Sequence, residues 1–408
     1  MKYPKWIQVR QLLDGKRVDN PYRSVQEQLQ VLEHKIKLSR GARIAVAAGS
    51  RHIANIVPIT KAAVDFIKTS GGNPFIVPSM GSHGGGTAEG QVQVLTEYGL
   101  TEEALGAPIL SSMEVVRLGD VDGIPVYLDK KAVEADGIVV INRIKPHQVF
   151  KGDIQSGLNK MLVVGLGKRK GADAVHGSGR IDVLPLMGDY IRSSVSVLFG
   201  VAILENSYDE TRDVAVIEPG QFNEYDRRWA EMSRALLPRI PIRQLDMVLV
   251  DAMGKDVSGS GMDTNVIGFT RRIGGSGQAA VPLAVLDLTE KTEGNAMGMG
   301  LADFTTRRLV DKINFAATYT NVLASGIYST GRIPIIFERD KDIFDAALGK
   351  REDPSRARII RIKDTLHLDR FFATEELIAE IKRQDHLKLD DELIETTFDL
   401  NGNLDFGF

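Results

Sequence analysis

Two histidines lie at points of the chain where a side chain could move a proton. His83 lies in the glycine-rich segment MGSHGGG, and His147 lies beside a proline in IKPHQVF. Histidine titrates near neutral pH, so two facing imidazoles can accept or donate a proton in either direction. One such histidine alone is more often a loop residue bonded to nearby backbone. Two of them, each just past a predicted strand, favour an acid/base pair.

A lysine and a third histidine follow in one glycine-rich stretch. His176 closes GLGKRKGADAVH, and neutral imidazole is a ligand for nickel, copper or zinc. The alternative is a surface histidine on a short helix. Lys160 lies in SGLNKMLVV at the predicted start of a strand, where a lysine is commonly a snorkelling edge residue. Its small neighbours Ser156 and Gly157 leave room for a bound group.

Two turns that contain glycine could hold an anion. The turn GLGKRKG departs from the dinucleotide-binding spacing and lacks a well placed acidic residue downstream. Backbone amides at a helix start could still hold a phosphate there. The turn GSRH, residues 49–52, offers Arg51 as a charged donor to phosphate or carboxylate, or only as a solvated loop charge.

Alternating strands and helices must position these residues. Buried strands are predicted at RIAVAAG, NPFIVP, MEVVRLG, IPVYLD and GIVVINR, and Thr87 is a candidate helix N-cap. After the prolines of residues 236–244 the pattern restarts with DMVLVDAMG, VPLAVLDL, IPIIF and RARIIRI. Such alternation predicts the α/β class, with two α/β domains, mainly parallel sheets and a cleft between them. Ligands of these sheets bind beyond the carboxyl ends of the strands.

The length of 408 residues exceeds one compact core, so several domains are expected. We predict an N-terminal cofactor-binding and catalytic domain over residues 1–240. A C-terminal α/β domain over 241–368 would close on the substrate. The tail, 369–408, could pack back on the N-terminal domain.

Composition excludes several kinds of site. The chain has no cysteine, which excludes disulfides, zinc-thiolate sites, protein-held iron–sulfur clusters and cysteine nucleophiles. The net charge is -3 with both signs scattered, so neither nucleic acid nor an anionic membrane is an expected partner. No apolar run has the length of a signal peptide core or a membrane span, so we expect a soluble, cytoplasmic protein.

The ordered set GSHGGGTAEGQ, PH, SGLNK and a later histidine resembles the lactate racemase family, whose members use a nickel-pincer nucleotide. The resemblance covers about residues 40 to 180. It implies that His83 and His147 form the acid/base pair. It also implies that Lys160 bonds covalently to the cofactor and that His176 ligates nickel.

The same resemblance implies further site residues and some departures. Ser50, Arg51 and Gly84 would complete the cofactor-binding set. The interval between the second catalytic histidine and the lysine is longer than in the family pattern. In MDTNVIGFTRR the family's tyrosine and glutamine become Ile267 and Gly268, and its lysine becomes Arg271. Arg271 could bind a substrate carboxylate bidentately in a wider, less polar site.

The resemblance and its departures together imply an isomerase, a racemase or epimerase of a 2-hydroxy acid larger than lactate. The Cα–H of such an acid is barely acidic, so removal of hydride needs an electrophilic acceptor and a base for the hydroxyl proton. The expected partners are the small-molecule substrate and the proteins that build the cofactor. Two alternatives stay open: a nicotinamide-dependent oxidoreductase, and a non-catalytic binding protein for an acidic sugar or nucleotide.

Overall fold

A computed structural model of the chain describes residues 1–49, 53–146, 153–268 and 281–408. The chain divides into two compact units. One unit is Asp14–Leu237, and the other combines Met1–Leu13 with Pro238–Phe408. Each unit has its own sheet and its own apolar clusters.

The strands of the described residues, in chain order, are β1 (Trp6–Gln11), β2 (Arg43–Ala48), β3 (Asn73–Pro78), β4 (Val115–Val121), β5 (Ile124–Asp129), β6 (Gly137–Arg143), β7 (Val197–Glu205), β8 (Thr211–Ile217), β9 (Met247–Met253), β10 (Leu283–Leu288), β11 (Phe304–Thr306), β12 (Ile335–Phe337), β13 (Ile359–Ile362), β14 (Arg370–Thr374) and β15 (Leu387–Ile394). The α-helices, in the same order, are α1 (Pro21–Leu32), α2 (Ile56–Thr69), α3 (Ala88–Glu97), α4 (Glu102–Leu105), α5 (Lys130–Val133), α6 (Leu158–Lys160), α7 (Lys168–Ser178), α8 (Leu184–Ser194), α9 (Phe222–Leu236), α10 (Thr264–Ile267), α11 (Arg307–Asp311), α12 (Phe315–Ser325), α13 (Asp340–Leu348) and α14 (Ile378–Ile381).

The sheet of the Asp14–Leu237 unit has the strand order β3-β2-β6-β7-β8 within the described residues. All neighbours are parallel except β8, which pairs antiparallel with β7. Val46 pairs with Ile76 on one side and Val139 on the other. Because side chains alternate, Val46 enters one apolar cluster while Ala45 and Ala47 enter another. Burial of both faces explains the continuous apolar runs of these strands.

The alternating pattern predicts that β4 and β5 join the parallel sheet. In the structure they instead form a separate antiparallel hairpin. The turn between them is Asp122 and Gly123, whose φ angles are +50° and +77°. An Asp-Gly pair with both φ angles positive is typical of the tightest hairpin turns, and its twist matches that of the strands.

The run MLVVGLG is helical, so the predicted strand at this place is wrong. α6 continues into a π-helical segment, Met161–Gly165, and every residue of that segment is buried. A short apolar run is compatible with a buried strand or a buried helix, and periodicity alone does not separate them. Lys160 therefore ends a short helix instead of starting a strand.

The sheet of the second unit has the order β12-β11-β10-β9-β13-β14-β1-β15 within the described residues. The strands from β12 to β13 are parallel, and β14, β1 and β15 are antiparallel to their neighbours. Val248 pairs with Leu283 and with Ile360 in the middle of this sheet, and all three are buried.

The domain organisation differs from the sequence prediction at both chain ends. β1 pairs with β14 and β15, so the first residues and the tail 369–408 belong to the sheet of the C-terminal unit. The tail forms strands because Phe371 and Phe372 bury on alternate faces of the sheet. The observed division at Leu237 lies within the proline-interrupted segment that predicts the boundary. The cleft and the closing role of residues 241–368 remain predictions.

The predicted α/β class with mainly parallel sheets is confirmed. Thr87 caps α3 as predicted, because its Oγ1 accepts a hydrogen bond from the backbone N of Gly90 (3.0 Å). In the part of the chain that the structure describes, every helix is too short or too polar to cross a bilayer.

Candidate functional site

Glu205 joins three strand ends at the carboxyl edge of the first sheet. It is the last residue of β7 and is almost fully buried. Its Oε2 accepts a hydrogen bond from Arg143 Nη1 at the end of β6 (2.6 Å). Its Oε1 accepts one from the backbone N of Ala54, in the connection after β2 (3.0 Å). The edge where parallel sheets present ligand sites is thus held together by one carboxylate.

His83 lies in the loop that follows β3 at the same edge, as predicted, and its side chain is half-buried. Its carbonyl accepts hydrogen bonds from Gly86 N (3.2 Å) and from Gln91 Nε2 (3.4 Å). Gly84 has a φ of +64°, and a Cβ there would lie 2.4 Å from the carbonyl carbon of Gly90. Only glycine fits at position 84, because the loop folds tightly on α3. The cofactor role of Gly84 stays a prediction.

The loop of His83 packs on the segment that leads to α7. Gly81 N donates to Gly165 O (3.2 Å), at the end of the π-helical segment. A Cβ at Gly81 would lie 3.5 Å from the Cβ of Ala172 on α7. The His83 loop, the π-helical segment and α7 therefore form one packed layer.

A buried carboxylate on α9 anchors the segment that ends in Lys160. Asp226 Oδ1 accepts from Leu158 N (2.8 Å), and Oδ2 accepts from Asn159 N (2.9 Å) and Asn159 Nδ2 (2.7 Å). Gly157 has a φ of +101°, and a Cβ there would lie 2.1 Å from Asp226 Oδ1. Desolvation raises the pKa of Asp226 to about 6, against the opposing effect of these hydrogen bonds.

The sequence analysis missed Asp226. The signal that could have revealed it is its position on the apolar face of α9, between Phe222, Trp229 and Ala230, which are all buried. An acidic residue within an apolar stripe of a helix requires a buried partner. The partner itself, a backbone segment far away in the sequence, carries no such signal.

His176 lies near the end of α7, and its imidazole interacts electrostatically with Lys160. The pKa of His176 is lowered, first because protein atoms desolvate the charged ring and second because the Lys160 ammonium repels it; Asp173 opposes both. The residue as a whole is nevertheless exposed to solvent. The neutral imidazole that results is the form that binds metal ions. The structure thus brings Lys160 and His176 into one electrostatic environment.

Four predicted site residues lie outside the described residues: Ser50, Arg51, His147 and Arg271. Described residues that flank two of these stretches lie at this edge of the sheet. A Cβ at Gly49 would lie 2.6 Å from the methyl carbon of Met161. Lys145 N donates to Ser156 Oγ (2.8 Å), and Lys145 Nζ pairs with Asp209 (2.6 Å).

The turn GLGKRKG joins the π-helical segment to α7 and does not follow a strand. A dinucleotide fingerprint requires a strand, a turn and a helix in that order. A Cβ at Gly167 would lie 2.2 Å from Val163 O, and one at Gly165 would lie 2.7 Å from Ser79 O. Close packing therefore requires both glycines, and Lys168 in the same turn is fully buried. The predicted strand context that favoured a nicotinamide cofactor is absent from these described residues.

These features define an α/β unit with a candidate ligand site at the carboxyl edge of a parallel sheet. Among the described residues, groups of three or more histidine, aspartate or glutamate side chains arranged to hold a metal are absent. The charge of Lys160 acts on His176, whose pKa is lowered, and the segment that carries both packs beside a loop with another histidine.

Known structures include relatives of this fold. The apoprotein of lactate racemase from Thermoanaerobacterium thermosaccharolyticum has 13% sequence identity and a TM-score of 0.52, over 88% of this chain and 98% of that chain. A protein from Thermotoga maritima has 15% identity and a TM-score of 0.49, over 65% of this chain and 71% of that chain. No protein-family model matches the chain, and no curated protein matches its sequence. The chain has a lactate-racemase-like fold.

Proposed function

We propose that this chain is a racemase or epimerase of a 2-hydroxy acid and that Lys160 and His176 hold a nickel-pincer nucleotide. The observation that carries the proposal is that the segment with Lys160 and His176 packs against the loop of His83, while the charge of Lys160 acts on the imidazole of His176. The lactate-racemase-like fold supports the same reaction class.

The residues present fit such a group. His176 has a lowered pKa, so its imidazole is neutral at physiological pH and keeps a lone pair for a metal. Lys160 supplies an amine, and Asp226 fixes the backbone of the two residues before it, Leu158 and Asn159. When bound, a nickel-pincer nucleotide supplies a reversible acceptor and donor of hydride.

The proton steps belong to the chain's own histidines. His83 would accept the hydroxyl proton of one enantiomer on an imidazole nitrogen. His147 would donate a proton to the same oxygen when the other enantiomer forms. The reverse reaction exchanges these two roles, so each histidine must be able to hold and release a proton near neutral pH.

The substrate class follows from the residues near the predicted carboxylate-binding position. Arg271 would bind the substrate carboxylate through two parallel hydrogen bonds. Ile267 and Gly268 stand where the family pattern has larger polar residues, so the substrate side chain would be larger and less polar than the methyl group of lactate.

The test is racemisation in heavy water. The chain is expressed together with cofactor-building proteins, and single enantiomers of aliphatic and aromatic 2-hydroxy acids are followed by chiral chromatography. The proposal expects the product to keep its Cα hydrogen, because hydride returns to the carbon it left. Exchange of that hydrogen for deuterium would contradict the proposal, since it indicates deprotonation at Cα.

A matched variant separates cofactor attachment from charge. Lys160→Arg keeps the positive charge beside His176 but cannot form the same bond to the cofactor, so it is expected to lose racemisation. Tight binding of a hydroxy acid without turnover, in both the parent and this variant, would favour the non-catalytic binding protein.

A further inference from the structure

A fully buried lysine lies between the two chain segments that carry His83 and His176. Lys168 has no exposed surface and adopts a φ of +53°. Its Nζ donates to Pro78 O and to Gln91 Oε1 (3.0 Å), and lies 3.4 Å from Asp129 Oδ2. The ends of β3 and β5 and the middle of α3 thus meet at one ammonium.

Both features of Lys168 are unfavourable in a residue that only fills the core. A buried ammonium must replace its hydration with protein acceptors, and an L-residue at positive φ is strained. Two acceptors bond this Nζ, Pro78 O and Gln91 Oε1, and the Asp129 carboxylate lies beside it as the counter-charge. An apolar residue would leave the Asp129 carboxylate buried without its cation.

Gln91 extends this contact to the loop of His83. Its Oε1 accepts from Lys168, and its Nε2 donates to Gly81 O (2.8 Å) and His83 O (3.4 Å). Gln91 is itself fully buried. The amide is therefore oriented by the ammonium, because only one of its two ends can accept.

Lys168 also fixes the other side of the site, because it is the first residue of α7. That helix carries His176 near its end. Only Leu166 and Gly167 separate it from the π-helical segment that follows Lys160. One side chain thus connects the backbone of the predicted base to the start of the helix that carries the predicted metal ligand.

We propose that Lys168 is a positioning residue: through Gln91 its ammonium sets the spacing between the His83 loop and α7. The proposal rests on the proposed function for the roles of His83 and His176. The geometry that it describes is independent of those roles.

The experiment replaces Gln91, which leaves the ion pair of Lys168 intact. Gln91→Met removes both ends of the amide. Gln91→Glu keeps an acceptor for Lys168 and loses the donor to the His83 loop. The matched control is Gln28→Met, because Gln28 makes comparable bonds to Val214 O and Val216 N in the same unit.

Two readouts are measured on the full chain. In cofactor-loaded protein we expect both Gln91 variants to lower kcat for racemisation by about 100-fold with little change in KM, since misplacement of a base acts on the chemical step. In protein without cofactor we expect the ring NMR signals of His83 to shift. Gln28→Met should change neither, even if its melting temperature falls as far.

The outcomes separate the two proposals. A kcat and His83 signals equal to those of Gln28→Met would overturn the positioning role. If the parent protein racemises no 2-hydroxy acid, the proposed function fails, and the His83 signals of the Gln91 variants still decide the positioning role. If Gln91→Met does not fold, Gln91→Glu supplies both readouts.

Discussion

The ammonium of Lys160 interacts with the imidazole of His176 and contributes to lowering the pKa of His176, after desolvation. A π-helical segment and most of α7 separate the two residues along the chain. Their proximity therefore results from how this segment folds back at the edge of the sheet. A shared ligand for both side chains requires such proximity.

Lys160→Met should raise the pKa of His176, because the variant removes a positive charge and keeps the length of the side chain. The measurement is an NMR titration of the His176 ring in protein without cofactor. Lys170→Met is the control, since Lys170 is an exposed lysine of the same helix. Equal effects of the two variants would mean that the Lys160 contact is not specific.

Asp226→Asn should destabilise the chain by about 1–3 kcal/mol, because one amide oxygen cannot accept the three N–H groups that the carboxylate accepts. Urea unfolding measures the change. Glu224→Gln on the same helix is the control, because that side chain is largely exposed and its loss of charge should cost under about 0.5 kcal/mol. Similar values for both variants would show that the anchor contributes little.

The stability of the chain should also depend on pH through Asp226. Its pKa in the folded state is about 6, above the ordinary value of 3.8, so the folded state binds the proton more tightly than the unfolded state. This contribution is fully present below pH 3.8 and is lost as the pH rises through 6. The total loss across this pH range amounts to about 3 kcal/mol.

The free energy of unfolding of the parent minus that of Asp226→Asn, measured from pH 4 to pH 7, isolates this contribution. The difference should decrease as the pH rises. A difference that increases over this range would show that the carboxyl group is stabilised as the anion.

Gly157→Ala should destabilise the chain much more than Gly123→Ala. Both glycines have positive φ, but a Cβ at Gly157 would overlap Asp226, whereas one at Gly123 would meet nothing within 4 Å. We expect about 1 kcal/mol for Gly123→Ala from strain and about 3 kcal/mol or more for Gly157→Ala. Thermal unfolding of both variants measures the difference. Equal losses of stability would show that a Cβ at position 157 does not overlap Asp226.

Local sequence patterns predicted the strands that are buried on both faces. RIAVAAG, NPFIVP and GIVVINR form parallel strands because both faces of each are buried, and a continuous apolar run reports that burial. The run MLVVGLG has the same composition and forms helix. Asp226, far along the chain, binds the N–H groups at the start of that helix, and no local pattern contains this information.

The chain ends were mispredicted for a similar reason. β1 lies between β14 and β15, and pairing between the first and last residues leaves no periodic signal in either segment. Without that pairing, the tail's alternation of Phe371, Phe372 and polar residues is weak evidence for a strand.

The site residues divide in the same way. His83, Lys160 and His176 were predicted because their side-chain types carry chemistry beside glycine-rich turns. Lys168 and Gln91 were missed because a lysine in GLGKRKG is expected to face solvent or a phosphate. The burial of Lys168 depends on two hydrogen-bond acceptors and one carboxylate, which separate elements contribute.

The central claim is that Lys160 and His176 hold one cofactor, and peptide mass spectrometry of protein made together with cofactor-building proteins tests it most directly. The predicted result is an adduct on the peptide that contains Lys160, with equimolar nickel, and no adduct in Lys160→Arg. An unmodified Lys160 peptide from a preparation that racemises a 2-hydroxy acid would contradict the claim.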